Sequence, residues 1–391
     1  MYLATEAWVK AHSGFLAPEG FVELSCYIPD LHETIVYTKS DLISFTHHQT
    51  GDLMSGELPK NSIEFTLDNS NGQWNPSNPK GLERYLSERL RIKLRYGFKI
   101  NGVVSWIPGG VFYLSEWRTS LNGITASFVA RDLLEYVMDR PYTGSISGTL
   151  YEIAERAIEE AAIPTDGTLG RFVLGESGLG GFALGVDKAG TFNLAEELKQ
   201  YTVEDIEYKG EDSIAVILQK CANAAGCVMY QNRCGVFFIK RLAFMDTGYV
   251  IPTNLSYSYP EIEFLRPIKN VSVTYKGGNK LLYPFSGSGE TQTVDNDFIS
   301  TEAQATEVAK CVCDSLRSRR NVTGEFRGDT RLDLYDVVNI ESKYGTISGV
   351  VLTDVKHTFS GSFRTSYTGY IRGSGVAVTM HCGEVYSGEV V

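Results

Sequence analysis

The feature of this chain that most limits its fold is a repeat. Leu114-Ser115-Glu116-Trp117-Arg118-Thr119-Ser120-Leu121-Asn122-Gly123 reads without a gap onto Leu352-Thr353-Asp354-Val355-Lys356-His357-Thr358-Phe359-Ser360-Gly361. Leu and Gly are identical, and most other columns exchange like for like. Only Thr119/His357 fails outright, while Trp117/Val355 stays apolar. The copies sit near the ends of the two halves of a 391-residue chain, which predicts one β-module built twice.

A chain of 43.2 kDa is too long for one ordinary core, and about two to four domains are expected. Hydrophobic residues make up 43% and charged residues 21%, the balance of a folded chain rather than a disordered one. The formal charge of -11 argues against a protein that grips nucleic acid through its phosphates, which needs clustered Lys and Arg. The seven cysteines (26, 221, 227, 234, 311, 313, 382) form no CxxC pair and read as reduced thiols of a chain folded in a cytosol. Met1–Lys10 lacks the pattern of a secretion signal. No apolar run approaches the roughly 18 residues that a membrane helix needs.

Residues 1–142 alternate with period 2 in Phe21–Tyr27, Ile63–Leu67, Leu90–Tyr96 and Ile124–Ala130, so they are read as strands. Asn122-Gly123 is a hairpin signal. Three helical stripes follow: Leu150 to Ala161, Ile214 to Ala225 and Ala305 to Leu316, each with apolar residues at i, i+3, i+4, i+7, i+8 and i+11. Thr149…Glu152 and Thr301…Gln304 are capping boxes. Pro164 and Gly226 are placed to stop the first two helices. Val228–Tyr230 and Val236–Lys240 make a hairpin after the second helix, and 268–276 starts another strand. Strands 335–340, 349–359 and 363–371 complete the second module. Residues 166–190 and 284–297 are Gly/Ser-rich and read as loops.

Several short patterns invite chemistry, and each has a plainer reading. Gly178-Leu179-Gly180-Gly181-Phe182-Ala183 has the letters of a dinucleotide fingerprint but no helical stripe after it, so it reads as loop. Asp68-Asn69-Ser70-Asn71-Gly72 lacks the Gly and Glu positions of a calcium loop and reads as a polar turn. Asp329, Asp333 and Asp336 could pair as glycosidase carboxylates. Arg327 and Arg331 flank Asp329 and would pair with these carboxylates, however, so a charged turn is expected. His47-His48 point to opposite faces of a strand and are read as a surface pair. Arg317, Arg319 and Arg320 are read as ending the third helix, where cations suit the dipole. Trp117 is read as core, whereas Trp74 and Trp106 sit in Pro/Gly-flanked segments and could be exposed for sugar stacking. No catalytic, cofactor or metal residues are assigned, and the chain is read as non-enzymatic.

Taken in order, several segments resemble one family. They are Ser62–Asn69 through Gly72, Trp74, Asn75 and Pro76; Arg91–Gly97; Gly110–Trp117; the helix-hairpin Asp212–Arg241; and Thr301–Arg317 followed by Arg327-Gly328-Asp329, Leu332, Leu334 and Tyr335–Val338. This order is similar to that of the hub proteins at the baseplate or tail tip of tailed bacteriophages and of related contractile injection machines. The resemblance implies an α+β, predominantly β fold, with two tail-tube-like antiparallel β-barrels flanking small α+β units. It also implies a homotrimer whose six modules adapt a sixfold tail tube or distal tail protein to a threefold spike or fibre. DNA would pass through the channel without specific binding, and the particle would be assembled in the host cytoplasm, with no membrane involved. The expected divisions are 1–142, the first barrel; 143–210, a helix plus Gly-rich insertion; 211–262, a helix-hairpin unit; and 263–391, the second barrel with helix 301–319. Part of 175–210 is a candidate to complete the first barrel. The rival expectation is a carbohydrate-binding or carbohydrate-cleaving β-protein of a tail tip.

Overall fold

In a computed structural model of the chain, the described residues are 1, 4–14, 18–120, 123–161, 191–242, 246–285, 288–316 and 320–371. The fingerprint-like 178–183 segment, Pro164, Asn122, Arg317 and Arg319 lie outside them.

The first module opens with helix α1 (Glu6–Ser13), which the sequence reading did not find, followed by seven strands. These are β1 (Gly20–Ile28), β2 (Glu33–Tyr37), β3 (Leu42–Thr50), β4 (Lys60–Asp68), β5 (Arg91–Ile100), β6 (Val103–Thr119) and β7 (Thr125–Arg131). Alternation builds them. On β1, Val22, Leu24, Cys26 and Ile28 turn inward, and on β4, Ile63, Phe65 and Leu67 do the same. The strand order is β2-β1-β5-β6-β7-β4-β3, antiparallel throughout.

A layer of helices and small sheets comes next in sequence. It contains β8 (Pro141–Thr149), α2 (Leu150–Glu160), β9 (Thr191–Leu194), β10 (Thr202–Ser213), α3 (Ile214–Ala224), β11 (Val228–Gln231) and β12 (Val236–Lys240). β10 pairs with β8, and β9 runs parallel to β12 beside β11. The Thr149 box is complete: the threonine hydroxyl accepts from the Glu152 amide, and the Glu152 carboxylate accepts from the Thr149 amide.

The rest of the chain supplies β13 (Asp246–Ile251), β14 (Glu261–Phe264), β15 (Ile268–Tyr275), β16 (Asn279–Pro284), β17 (Glu290–Asp295), α4 (Glu302–Ser315), β18 (Arg320–Arg327), β19 (Val337–Ser342), β20 (Gly345–Phe359) and β21 (Phe363–Ile371). β17 corrects the loop expected over 284–297, because Thr291–Asp295 finds a parallel partner in β15 despite its polar composition. Arg320 opens β18 rather than ending a helix, since α4 stops at Ser315. Residues 268–316 leave the second module and join the middle layer. Val271, Val273, Val294 and Val308 share one core with Ile153 of α2 and Leu218 of α3.

The two modules have the same plan. The order β5-β6-β7-β4-β3 in the first is matched by β19-β20-β21-β18-β14 in the second. The repeat occupies the same place in both. Leu114 faces Ala130 and Glu116 faces Val129, so Ser115 bulges. Leu352 faces Gly369 and Asp354 faces Thr368, so Thr353 bulges. Trp117 then opposes Phe128, as Val355 opposes Tyr367. Both turns end on a left-handed glycine, Gly123 at φ 72° and Gly361 at φ 95°.

The fold is predominantly β, as expected, but the closed barrels are corrected. Among the described residues neither module closes on itself. β3 instead pairs with β20, and thirteen strands form one continuous sheet. An open edge is satisfied by whichever strand reaches it, and here that strand comes from the other module.

Truncating the shared helical core tests this account. Leu218, fully buried on α3, when changed to Ala should cost about 2–5 kcal/mol in a urea titration, with the midpoint falling and the slope unchanged.

Candidate functional site

With no catalytic constellation in the described residues, the site to explain is the joint between the modules. Asp354–Phe359 of β20 runs antiparallel to Phe45–Thr50 of β3, with His357 opposite His47. His48 and Asp354 meet at 3.2 Å on the outer face.

His47 corrects the expected surface pair. It does point away from His48, but into the sheet's interior, where it is 1% exposed. Its Nε2–H donates to Asn61 Oδ1 at 2.9 Å, which leaves Nδ1 to accept from the Tyr96 hydroxyl at 2.6 Å. His357 repeats the pattern: Nε2–H donates to the Leu332 carbonyl at 3.1 Å, and Nδ1 accepts from the Thr365 hydroxyl at 2.7 Å. The two rings lie 6.0 Å apart. Burial pulls the His47 pKa down to about 3, and the neighbouring His357 adds to the effect. Burial likewise brings His357 down to about 4, with the Arg233 charge contributing. Both imidazoles are therefore neutral across the physiological range.

Arg233, in the turn between β11 and β12, inserts beside this pair. Its Nε donates to Asp333 at 2.6 and 2.8 Å, and its terminal nitrogens donate to the carbonyls of Pro108 at 3.2 Å and Leu332 at 3.0 Å. One side chain of the middle layer thus ties β6 of the first module to the segment before β19 of the second. Burial alone would raise the Asp333 pKa, but the Arg233 guanidinium outweighs it and holds the carboxyl below the usual range. Gln231 adds two further ties, accepting from the Leu133 amide and donating to the Val111 carbonyl.

The charged turn expected at Asp329–Asp336 is present, with Arg331 pairing inside it, but its carboxylates are folded inward. Arg331 pairs with Asp329 at 2.9 and 3.0 Å, and both are almost wholly buried. Asp333 is taken by Arg233, and Asp336 pairs with the Met1 amine. Asp329 and Asp333 thus each have a guanidinium beside them, as buried charge requires, while burial pulls the pKa of the Met1 amine beside Asp336 down to about 6. The Asp68–Gly72 turn is polar, as expected. Asp68 accepts from the Ser70 amide at 2.9 Å, and buried Asn69 donates to the Gly123 carbonyl at 2.7 Å. Among the described residues no three His, Cys, Asp or Glu side chains are grouped to hold a metal ion.

No protein-family profile and no curated protein matches the chain. Solved structures do. The tail protein from Neisseria meningitidis MC58 superposes with a TM-score of 0.58 at 12% identity, covering 90% of this chain and 96% of that one. The 43 kDa tail protein of prophage MuSo2 from Shewanella oneidensis gives 0.56 at 11% identity, covering 90% and 98%. A chain of the Francisella PdpA-VgrG complex gives 0.51 at 9% identity, covering 97% of this chain and 62% of that one. The fold is that of these tail proteins. At such identities the shared property is the architecture, which here includes the fused modules and the middle layer.

The packing of the tryptophans leaves little room for a sugar groove built on them. Trp74 is 4% exposed and packs edge-on against Phe128, so it cannot stack a ligand. Trp106 lies under the Arg95 guanidinium, 5.2 Å from the ring, and Glu23 pairs with that arginine. Trp117 packs against the first module's core.

The neutral imidazoles make the joint acid-sensitive. Both folded pKa values lie below the unfolded value of about 6.5, so the unfolded chain takes up protons first and stability falls as pH drops from there towards 4. Buried Asp132, raised to about 7 by burial, acts in the opposite sense over the same window, so the comparison must be with a variant. Between pH 6.5 and 4, wild type should lose more stability than His47→Gln, by roughly 1–3 kcal/mol, in paired urea titrations. Arg233→Met should cost about 3–5 kcal/mol because it strands Asp333, and adding Asp333→Leu should restore much of the loss.

Proposed function

We propose that this chain is a structural component of a phage tail tip. It acts as a homotrimeric hub whose three chains present six similar β-modules in a ring. The ring would adapt a sixfold tail tube or distal tail protein to a threefold spike or fibre and form the channel for the ejected genome. The duplicated module carries this reading: both copies keep the same strand order and the same bulge, and they are already joined side by side through one sheet. One polypeptide with two near-equivalent modules can meet a sixfold ring with all six modules and a threefold partner with three chains. The likeness in fold to the tail proteins supports the same reading.

The mechanism is geometric, with no covalent step. The middle layer, β8 to β12 packed with 268–316, would widen the ring and hold the distal tip. The charge of -11 suits a channel wall past which DNA slides without sticking. The residence is the virion tail tip, reached after assembly in the host cytoplasm.

Light scattering on the purified chain should give three times 43.2 kDa, and electron-microscope class averages should show a ring of six lobes around an open centre. A species that stays a single chain at high concentration and binds glycans would favour the carbohydrate-binding alternative instead.

A further inference from the structure

The internal joint uses one edge from each module, and each module also carries the matching edge that the joint leaves unused. β3 is the edge strand of the first module, and its counterpart β14 pairs only with β18 among the described strands. Asp354–Phe359 of β20 is the edge offered by the second module. Its counterpart, Glu116–Thr119 of β6, pairs with β7 on one side, while the pairing of β6 with β5 ends at Tyr113.

The counterpart residues can be aligned through the strands they face. Ile63 faces Ala130, the partner of Leu114, and Val322 faces Gly369, the partner of Leu352. His47 faces Ile63, and Ile262 faces Val322, so Ile262 occupies the position of His47. Within the chain, Val355, Lys356 and His357 face Gln49, His48 and His47. Carried over, Trp117 faces Phe264, Arg118 faces Glu263 and Thr119 faces Ile262.

That register was fixed by topology alone, yet its chemistry is complementary. Trp117 meets an aromatic ring and Arg118 meets a carboxylate. Phe264 is 75% exposed and Ile262 is 43% exposed, on an edge strand where folded proteins avoid unprotected apolar residues. Tyr257 and Tyr259 extend the exposed apolar surface just before β14. In the internal joint His47 and Gln49 point inward and are buried. By the same alternation Ile262 and Phe264 would lie over Trp117, which packs on the core of the first module. The Arg118–Glu116 contact is between exposed groups and would give way readily to Glu263.

We propose that β14 of one copy pairs antiparallel with Glu116–Thr119 of β6 in the next copy, in the register Trp117/Phe264, Arg118/Glu263, Thr119/Ile262. The occupant of each open edge is a second copy of this chain. The contact is heterologous and repeats the internal joint, so successive copies propagate one rotation until the ring closes. This inference rests on the ring-forming reading above and specifies the strands that make the ring.

The test is a cysteine pair in the full chain. Thr119→Cys/Ile262→Cys, oxidised mildly and run without reductant, should give covalent species up to three chains. Each single variant sets the background of the native thiols, and the off-register pair Thr119→Cys/Phe264→Cys should stay near it. Separately, Phe264→Asp should move the native mass from three chains to one while the chain stays folded, with the far-UV circular dichroism of the wild type and a cooperative urea transition. Arg118→Glu should weaken assembly, and Glu263→Arg in the same chain should restore it. If three chains assemble but neither the cross-link nor the Phe264→Asp effect is seen, the strand assignment is overturned and the ring reading stands. If the wild type is a single chain at every concentration, the ring reading fails and takes this joint with it.

Discussion

The structure depends on one strand pairing, that of β3 with β20. A β-edge is a row of unspent hydrogen-bonding groups, and it either finds a partner or becomes a hazard. Here the first module's edge is satisfied by the second, which turns two similar units into one sheet of thirteen strands. What seals the pairing is unusual for a core: two neutral imidazoles in register, each with both nitrogens satisfied. An arginine from the middle layer lies beside them and meets its carboxylate there. The joint is polar but nearly complete in its hydrogen bonds, the condition under which buried polar groups specify one arrangement rather than weaken it.

The two copies have kept their backbone and let their side chains drift. The bulge, the left-handed turn glycine and the strand order are common to both. By contrast, His47 corresponds to Ile262, and the short link from β3 to β4 corresponds to the long excursion 268–316. Sheet geometry tolerates such drift, because backbone hydrogen bonds fix the frame while alternation only asks which face each residue takes. The divergence falls at the edges and links, where one copy is committed to an internal contact and the other is not.

Much of this was legible in the sequence. The repeat gave the topological equivalence of Trp117 and Val355, and helical stripes marked α2, α3 and α4. What could not be read was long-range. His47-His48 looks like a surface pair because period 2 says only that they part, not which face is buried. Arg233 sits in a polar turn with nothing to signal that it reaches between modules. The Asp329–Asp336 run reads as a charged turn with nothing to say that it folds inward, because its partners include Arg233 and the Met1 amine, both distant in the chain. β17 was missed since its residues are polar and its parallel partner is not a hairpin neighbour. α1 has only eight residues, too few for a periodic stripe. Barrel closure was misjudged because alternation cannot say whose edge a strand will meet.

The pairing of β3 with β20 also sets a clock. His48 and Asp354 are 306 positions apart, so on a ribosome the first strand emerges long before its mate. At about 5–20 residues per second, the wait is on the order of 15–60 s. During that interval a nascent chain presents an unfinished sheet, and neighbouring polysomes offer the same sequence on many other nascent chains. Yield in a cell would therefore be governed as much by translation speed and chaperone cover as by the stability of the finished molecule.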